Sequence, residues 1–225
     1  MNTLRIVHMG DSITFGQYVD PALRWTSLVE RRLHAEAALQ GIAIESVNSG
    51  ISGNTTRMGL ERFHESVQIH RPHVMTLQFG MNDCNCWQTD EGHPRVSLAA
   101  FRANIKEMIA RARWFGCKRI ILQNNHTSLK REPLPSGETY ESANARYSAA
   151  LQEISCEEQV LFQDIRTTFA AMDDAQLARM LLPSPDLLHL SVEGNAVYAD
   201  LIYPHVRNCC LAALPELTVA QRSAA

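Results

Sequence analysis

The sequence has no apolar run that approaches the roughly 18 residues needed for a membrane-spanning helix, and it has no excess of either charge. The formal net charge is −3, so there is no basic field to attract nucleic acid or an anionic lipid surface. We therefore expect no membrane span and no nucleic-acid partner. A small uncharged molecule is the substrate that this charge balance favours.

The six cysteines lack the spacing of a disulfide framework or a zinc site. Cys84, Cys86 and His93 lie near one another in sequence, but one Cys-x-Cys with one histidine is not a paired zinc motif, so we expect no metal. A strand-like segment, Leu4 to Val7, begins almost at once, and the first residues do not have the pattern of a secretory signal. Reduced thiols and a cytoplasmic location are the prediction.

Short strand-like runs alternate with longer helical patterns, which is typical of an α/β protein with a parallel sheet covered by helices. Apolar residues recur at helical spacing from Ser97 to Phe115 and again from Tyr140 to Ile154. A weaker stripe predicts a first helix that begins near Trp25 and ends near Gly41. The five predicted strands are Leu4 to His8, Ile42 to Val47, His73 to Phe79, Arg119 to Gln123 and Val160 to Asp164.

No linker or composition break divides the chain, so we predict a single domain over residues 1–210. Its last helix is predicted from Ser191 to about Asn208, with Pro204 kinking it or marking its end. Residues 211–225 are predicted to be a C-terminal tail that frays.

Ser12 follows the first predicted strand directly, within Met9-Gly10-Asp11-Ser12-Ile13. Open α/β sheets bind their ligands at the carboxyl edge of the strands, which makes Ser12 a candidate nucleophile. A helix that begins here would also point backbone N–H groups at the site. The alternative is that Asp11 and Ser12 only cap that helix, and this segment alone favours the cap.

Asp186 and His189 stand three residues apart after the breakers Pro183 and Pro185. On a turn, the Asp186 carboxylate can reach His189 Nδ1 and leave Nε2 free as a base, as in a catalytic triad. An isolated Asp-x-x-His also arises by chance from a surface aspartate and a structural histidine.

Two more polar segments follow strands on the same edge: one contains Gly53 after the second strand, and the other contains Asn82 after the third. A glycine lets the backbone approach a ligand closely, and an asparagine amide can donate to an oxyanion. Ordinary turn chemistry also explains each segment taken alone.

Together the four segments resemble the SGNH hydrolase superfamily, the GDSL esterases and lipases, over nearly the whole chain. Its four blocks, a Gly-Asp-Ser, a Gly, a Gly-x-Asn-Asp and an Asp-x-x-His, occur here in order. Ile13 stands where the family's other name, GDSL, has a leucine, so the residue after Ser12 is still apolar. The resemblance implies a three-layer α/β/α sandwich of the flavodoxin-like kind, with a mainly parallel five-stranded sheet.

The resemblance further implies Ser12 as nucleophile, Asp186 and His189 as its triad partners, and Ser12 N–H, Gly53 and Asn82 as oxyanion donors. The implied function is carboxylic ester hydrolysis through an acyl-enzyme, with no cofactor and a small-molecule ester as substrate. We favour short acyl groups, acetyl on a carbohydrate among them. An acyltransferase with the same triad and a lysophospholipase or thioesterase stay open as alternatives, and the intact set argues against a non-enzymatic binding module. The oligomeric state is left open.

Four further residues are predicted to contact substrate. Asp11 adjoins Ser12, and Trp87 stands in the long loop from Gly80 to Val96, where it offers an apolar or sugar-stacking surface beside Asn82. Asn125 and His126 follow the fourth predicted strand on the same edge, although capping of the loop is an equally good explanation for them.

Overall fold

The computed structural model describes residues 3–222 and has five parallel strands at its centre. The strands are β1 (Thr3–Gly10), β2 (Ala43–Gly50), β3 (Val74–Gln78), β4 (Arg119–Gln123) and β5 (Leu161–Gln163). Their order across the sheet is β2-β1-β3-β4-β5, and every neighbouring pair is parallel. All five predicted strands are confirmed. The first two run further than predicted, to Gly10 and Gly50, and β3 and β5 are each shorter than predicted by one residue at either end.

Nine α-helices connect and follow the strands within residues 3–222. They are α1 (Ser12–Phe15), α2 (Trp25–Ala35), α3 (Thr56–Glu61), α4 (Phe63–Ser66), α5 (Leu98–Trp114), α6 (Tyr140–Glu157), α7 (Arg166–Ala170), α8 (Asp174–Met180) and α9 (Val192–Arg222). Ser97 caps α5 by accepting from the Ala100 N–H, and Thr139 caps α6 by accepting from the Ser142 N–H. These caps set the starts of the two helices that the sequence periodicity predicted.

Helices cover both faces of the sheet, which makes three layers. On one face α9 packs against β1, β3, β4 and β5 and also against α2. On the other, α5 packs between α3 and α6, and α6 contacts β4 and β5. The central strands are therefore buried on both sides, and all five residues of β3 are buried. The predicted α/β sandwich is confirmed.

The last helix is longer than predicted and continues past residue 210. Helix α9 continues through Pro204 and Pro215 to Arg222. Its buried side chains recur every three or four residues and form one stripe, made of Tyr198, Ile202, Val206, Cys210, Ala213 and Leu217. The first part of the predicted tail thus belongs to the core, and residues 223–225 lie outside the described residues.

Across residues 3–222, every helix is too short or too polar to cross a bilayer.

Candidate active site

Ser12 lies at the point where β1 turns into α1. Gly10 ends the strand, and a Cβ there would stand 2.7 Å from the Gln78 carbonyl oxygen, so this turn has room only for glycine. Asp11 caps α1, since its side chain accepts from the Ile13 N–H at 2.9 Å. Ser12 is the first helical residue, and its N–H has no acceptor within the helix. Asp11 alone therefore caps the helix through its side chain, and Ser12 lines a cavity.

The loop that carries His189 is fixed by its own hydrogen bonds. Asp186 Oδ1 accepts from the backbone N–H of Leu188 at 3.0 Å and of His189 at 2.6 Å. The His189 carbonyl accepts from the Leu182 N–H at 2.8 Å. Leu187 adopts a positive φ of 57°, which sharpens the turn between the two functional side chains. The imidazole is consequently held in one place on the carboxyl edge of the sheet.

Ser12, His189 and Asp186 form one hydrogen-bonded chain. His189 Nε2 lies 2.9 Å from Ser12 Oγ, and His189 Nδ1 lies 2.7 Å from Asp186 Oδ2. Burial alone would raise the pKa of Asp186, but the hydrogen bonds from the His189 N–H, His189 Nδ1 and the Leu188 N–H outweigh it and lower that pKa below its usual value. An ionised Asp186 holds the proton on Nδ1 and leaves Nε2 to accept the Ser12 proton.

Gly53 and Asn82 lie beside Ser12 in the same cavity. Gly53 has φ +77°, a conformation that favours glycine, and its N–H has no acceptor among the described residues. The Asn82 amide donates from Nδ2 to Asp11 Oδ2 at 3.5 Å, which leaves its second N–H available. The cavity next to the serine hydroxyl is thus lined by two segments that carry hydrogen-bond donors.

Arg95, which the sequence did not single out, ties the two donor segments together. Its guanidinium donates to the Gly53 carbonyl at 3.1 Å and to Asn82 Oδ1 at 3.3 Å. With Oδ1 turned toward Arg95, the Asn82 N–H groups face the other way, toward Asp11 and the cavity. Arg95 stands 13 residues beyond Asn82 in an irregular loop, where no spacing rule could have found it.

The cavity at Ser12 has a volume of about 200 Å³. Its walls combine polar groups with the apolar side chains of Met81, Tyr140 and Leu188. Tyr140 is buried and its hydroxyl donates to the Met81 carbonyl at 2.9 Å, which fixes the backbone next to Asn82. The remaining wall residues are Gln17, Ser52, Asn85 and Lys130.

Asp11, Asn125 and His126, which the sequence predicted to contact substrate, are buried, and none of them lines the cavity. Asn125 accepts from Gln78 Nε2 at 2.6 Å and donates to the Phe79 carbonyl at 3.1 Å. His126 Nε2 donates to the Leu188 carbonyl at 2.8 Å. Burial lowers the pKa of His126 to about 4, so it stays neutral and supports the His189 loop from behind.

Trp87 is exposed and lies outside the Ser12 cavity. It lines a neighbouring groove, and its ring stacks 4.6 Å from the Arg95 guanidinium. Arg95, which stacks on the Trp87 ring and donates to Asn82 Oδ1, links Trp87 to Asn82. Cys84 and Cys86 are buried free thiols, and within residues 3–222 no three metal-ligating side chains come together.

The ionisation of Asp11 makes the free energy of unfolding depend on pH. Burial is the largest cause that raises the pKa of Asp11 to about 7; the nearby Asp83 carboxylate contributes to the rise, and the hydrogen bond from the Ile13 N–H opposes it. The folded protein therefore keeps a proton that the unfolded chain releases above about pH 4, so the free energy of unfolding falls as the pH rises toward 7. Between about pH 5 and pH 8, we expect the free energy of unfolding to fall by about 2 to 3 kcal/mol less in the Asp11→Asn variant than in the wild type. Urea unfolding at both pH values measures this, and parallel pH profiles of the two proteins would contradict it.

Comparisons with known proteins show the family to which the chain belongs. The model of the GDSL-like lipase/acylhydrolase family matches residues 8–197. Uncharacterized lipoprotein YqeF of Bacillus subtilis is 30% identical over 122 residues, 52% of this chain and 46% of the relative. Esterase TesA of Pseudomonas aeruginosa is 30% identical over 120 residues, 53% of each chain. This chain thus spans about half the length of these two relatives. An acetylxylan esterase of Geobacillus stearothermophilus is 26% identical over 171 residues, 73% of each chain.

Two solved structures share the fold over nearly all of the chain. The lipase/acylhydrolase from Enterococcus faecalis has a TM-score of 0.72 at 26% identity and covers 91% of this chain and 96% of its own. The acetylxylan esterase from Geobacillus stearothermophilus has a TM-score of 0.70 at 23% identity and covers 90% and 94%. The chain therefore belongs to the GDSL-like lipase/acylhydrolase family, a family of ester-hydrolysing enzymes. The resemblance inferred from its four sequence blocks is confirmed.

Proposed function

We propose that this protein is a serine esterase that hydrolyses carboxylic esters through an acyl-enzyme on Ser12. The observation that carries the proposal is the hydrogen-bonded chain from Ser12 Oγ through His189 to Asp186, with distances of 2.9 and 2.7 Å. A hydroxyl becomes a useful nucleophile when an adjacent base takes its proton and a third group orients that base. All three parts are present.

In the first half of the reaction, Ser12 Oγ bonds to the ester carbonyl carbon while its proton moves to His189 Nε2. The carbonyl oxygen becomes an oxyanion, which accepts hydrogen bonds from the N–H groups of Ser12 and Gly53 and from Asn82 Nδ2. The carbon–oxygen bond to the alcohol then breaks, and the proton on Nε2 passes to the departing alcohol oxygen. The acyl group remains on Ser12.

In the second half, a water molecule takes the place of the alcohol. His189 Nε2 accepts a proton from this water as its oxygen attacks the acyl carbon, and the same donors hold the second oxyanion. Collapse releases the carboxylic acid and returns the proton to Ser12 Oγ. An alcohol that intercepts the acyl-enzyme instead of water would give acyl transfer.

The substrate class that we propose is a short acyl ester, with acetyl on a carbohydrate as the favoured case. The cavity at Ser12 is small, about 200 Å³, and polar side chains make up much of its wall, so a long hydrocarbon chain has little apolar surface to cover. Acetylxylan esterase is also the name of one relative that aligns with 73% of this chain.

Hydrolysis of para-nitrophenyl acetate, butyrate and octanoate tests the proposal. We expect kcat/KM to fall as the chain lengthens. A preference for octanoate would contradict the short-acyl proposal, and absence of hydrolysis of any ester would contradict the esterase proposal. Product analysis with an added acceptor alcohol separates hydrolysis from acyl transfer.

Replacing Asn82 tests the oxyanion donors. We expect Asn82→Ala to lower kcat by about 100- to 1000-fold with little change in KM, because the amide acts on charge that develops only in the transition state. The Asn82→Asp variant keeps the size of the side chain but replaces the donor with an acceptor, so its loss is expected to be at least as large. A nearly normal kcat in Asn82→Asp would rule out donation from this side chain.

We also propose that the protein works in a reducing compartment, as the predicted cytoplasmic location implies. All six cysteines are free thiols, and five of them are buried.

A further inference from the structure

A second groove lies next to the Asp186 and His189 pair. It has a volume of about 490 Å³ and is lined by Tyr18, Lys130, Leu182, Pro183, Pro185 and Asp186. Lys130 also lines the Ser12 cavity, so the two spaces meet at this side chain. The Tyr18 ring and the His189 imidazole form an edge-to-face pair, with the ring centroids 5.5 Å apart and the planes at 89°. The groove thus begins at the proposed catalytic base.

The direction of the proposed reaction assigns this groove to the alcohol half of the ester. His189 Nε2 returns its proton to the departing alcohol oxygen, so that oxygen must lie against the imidazole. The alcohol atoms attached to this oxygen then lie close to Tyr18, because Tyr18 contacts the same imidazole. The groove at Trp87 and Met58 shares no wall residue with the Ser12 cavity and has no such continuity.

The chemistry of the groove favours a sugar ring. Tyr18 is 71% exposed and, with a positive φ of 65°, its ring is held out on a backbone conformation that tyrosine rarely adopts. Leu182, Pro183 and Pro185 add apolar surface. The Lys130 ammonium has no ion pair or hydrogen bond among the described residues. A pyranose matches both features, because its C–H face packs on an aromatic ring and its hydroxyls accept from an ammonium group.

We propose that the groove at Tyr18 and Lys130 binds the sugar ring of an acetylated carbohydrate, which leaves as the alcohol. The inference rests on the proposed esterase function and adds the subsite that selects the leaving group. Tyr18 would act as a stacking surface and Lys130 as a hydrogen-bond donor to ring hydroxyls, and neither takes part in proton transfer.

The test compares two acetate esters that differ only in their alcohol. Ethyl acetate has an alcohol without a ring to stack on Tyr18, whereas methyl 2-O-acetyl-β-xylopyranoside carries one acetate on a sugar ring that keeps its other hydroxyls free. We expect Tyr18→Ala to raise KM for the acetylated xyloside about tenfold more than it raises KM for ethyl acetate. Tyr18→Phe keeps the ring and is expected to have the same ratio of the two KM values as the wild type. Lys130→Met is also expected to raise KM for the xyloside more than KM for ethyl acetate.

An equal loss on both esters, or no loss on the xyloside, would overturn the proposal while leaving the esterase function standing. If the wild type hydrolysed neither ester, the proposed function would fail. Sugar binding without turnover would then test whether the groove is a sugar site. Methyl β-xylopyranoside binding, followed by NMR without turnover, is then expected to be weakened by Tyr18→Ala. No binding to the wild type would overturn the groove as a sugar site.

Discussion

The Ser12→Ala variant is expected to lose about a millionfold in kcat, because the mechanism has no other nucleophile for the acyl group. The hydrogen-bonding partner of Ser12 Oγ is His189, so alanine removes this contact and leaves the fold intact. Steady-state hydrolysis of para-nitrophenyl acetate measures the loss, and the thermal midpoint shows that the variant is folded.

Ser155→Ala is the matched control for this experiment. Ser155 is also a nearly buried helical serine, but its hydroxyl donates to the Gln152 carbonyl in α6, away from the cavity. We expect it to keep wild-type turnover. Substantial activity in Ser12→Ala, with the control normal, would contradict covalent catalysis at Ser12.

The Asp186→Asn variant is expected to lose about 10,000-fold in kcat while remaining folded. The asparagine Oδ1 can still accept from the Leu188 and His189 N–H groups, which holds the loop in place. Its Nδ2 would donate to His189 Nδ1, which moves the imidazole proton to Nε2. The histidine could then no longer accept the proton of Ser12.

Asp173→Asn separates this effect from the loss of a local turn contact. Asp173 accepts from the Gln176 N–H, three residues on, just as Asp186 accepts from the His189 N–H, but it has no histidine partner. We expect Asp173→Asn to change stability slightly and turnover not at all. If Asp186→Asn lost no more activity than this control, Asp186 would have only a structural role.

The central strands β1, β3 and β4 were predictable from the sequence because they are buried on both faces and therefore mostly apolar. Strand β4 was predicted with the bounds it has, Arg119–Gln123. The error at the C-terminal end came from giving Pro204 more weight than the apolar stripe that continues through Ala213 and Leu217. A proline costs about 3 kcal/mol in a helix interior, which two more turns of buried side chains offset.

The residues of the site that directly follow strands could be predicted from the sequence. Those that come from irregular loops could not. Ser12, Gly53 and Asn82 follow β1, β2 and β3, so parallel topology alone brings them to one edge. Arg95 and Tyr18 reach the site through tertiary contacts that no periodicity encodes. His126 was placed on the correct edge, but its burial depends on how Phe169 packs against it, at 5.2 Å between ring centroids.

Labelling with a fluorophosphonate tests the central proposal most directly, because this reagent reacts with a serine whose hydroxyl is activated by a neighbouring base. Mass spectrometry of the labelled wild type is predicted to show one adduct, mapped to the peptide that contains Ser12, and no adduct in Ser12→Ala. An adduct on another residue, or equal labelling of the Ser12→Ala variant, would contradict the assignment of Ser12 as the nucleophile.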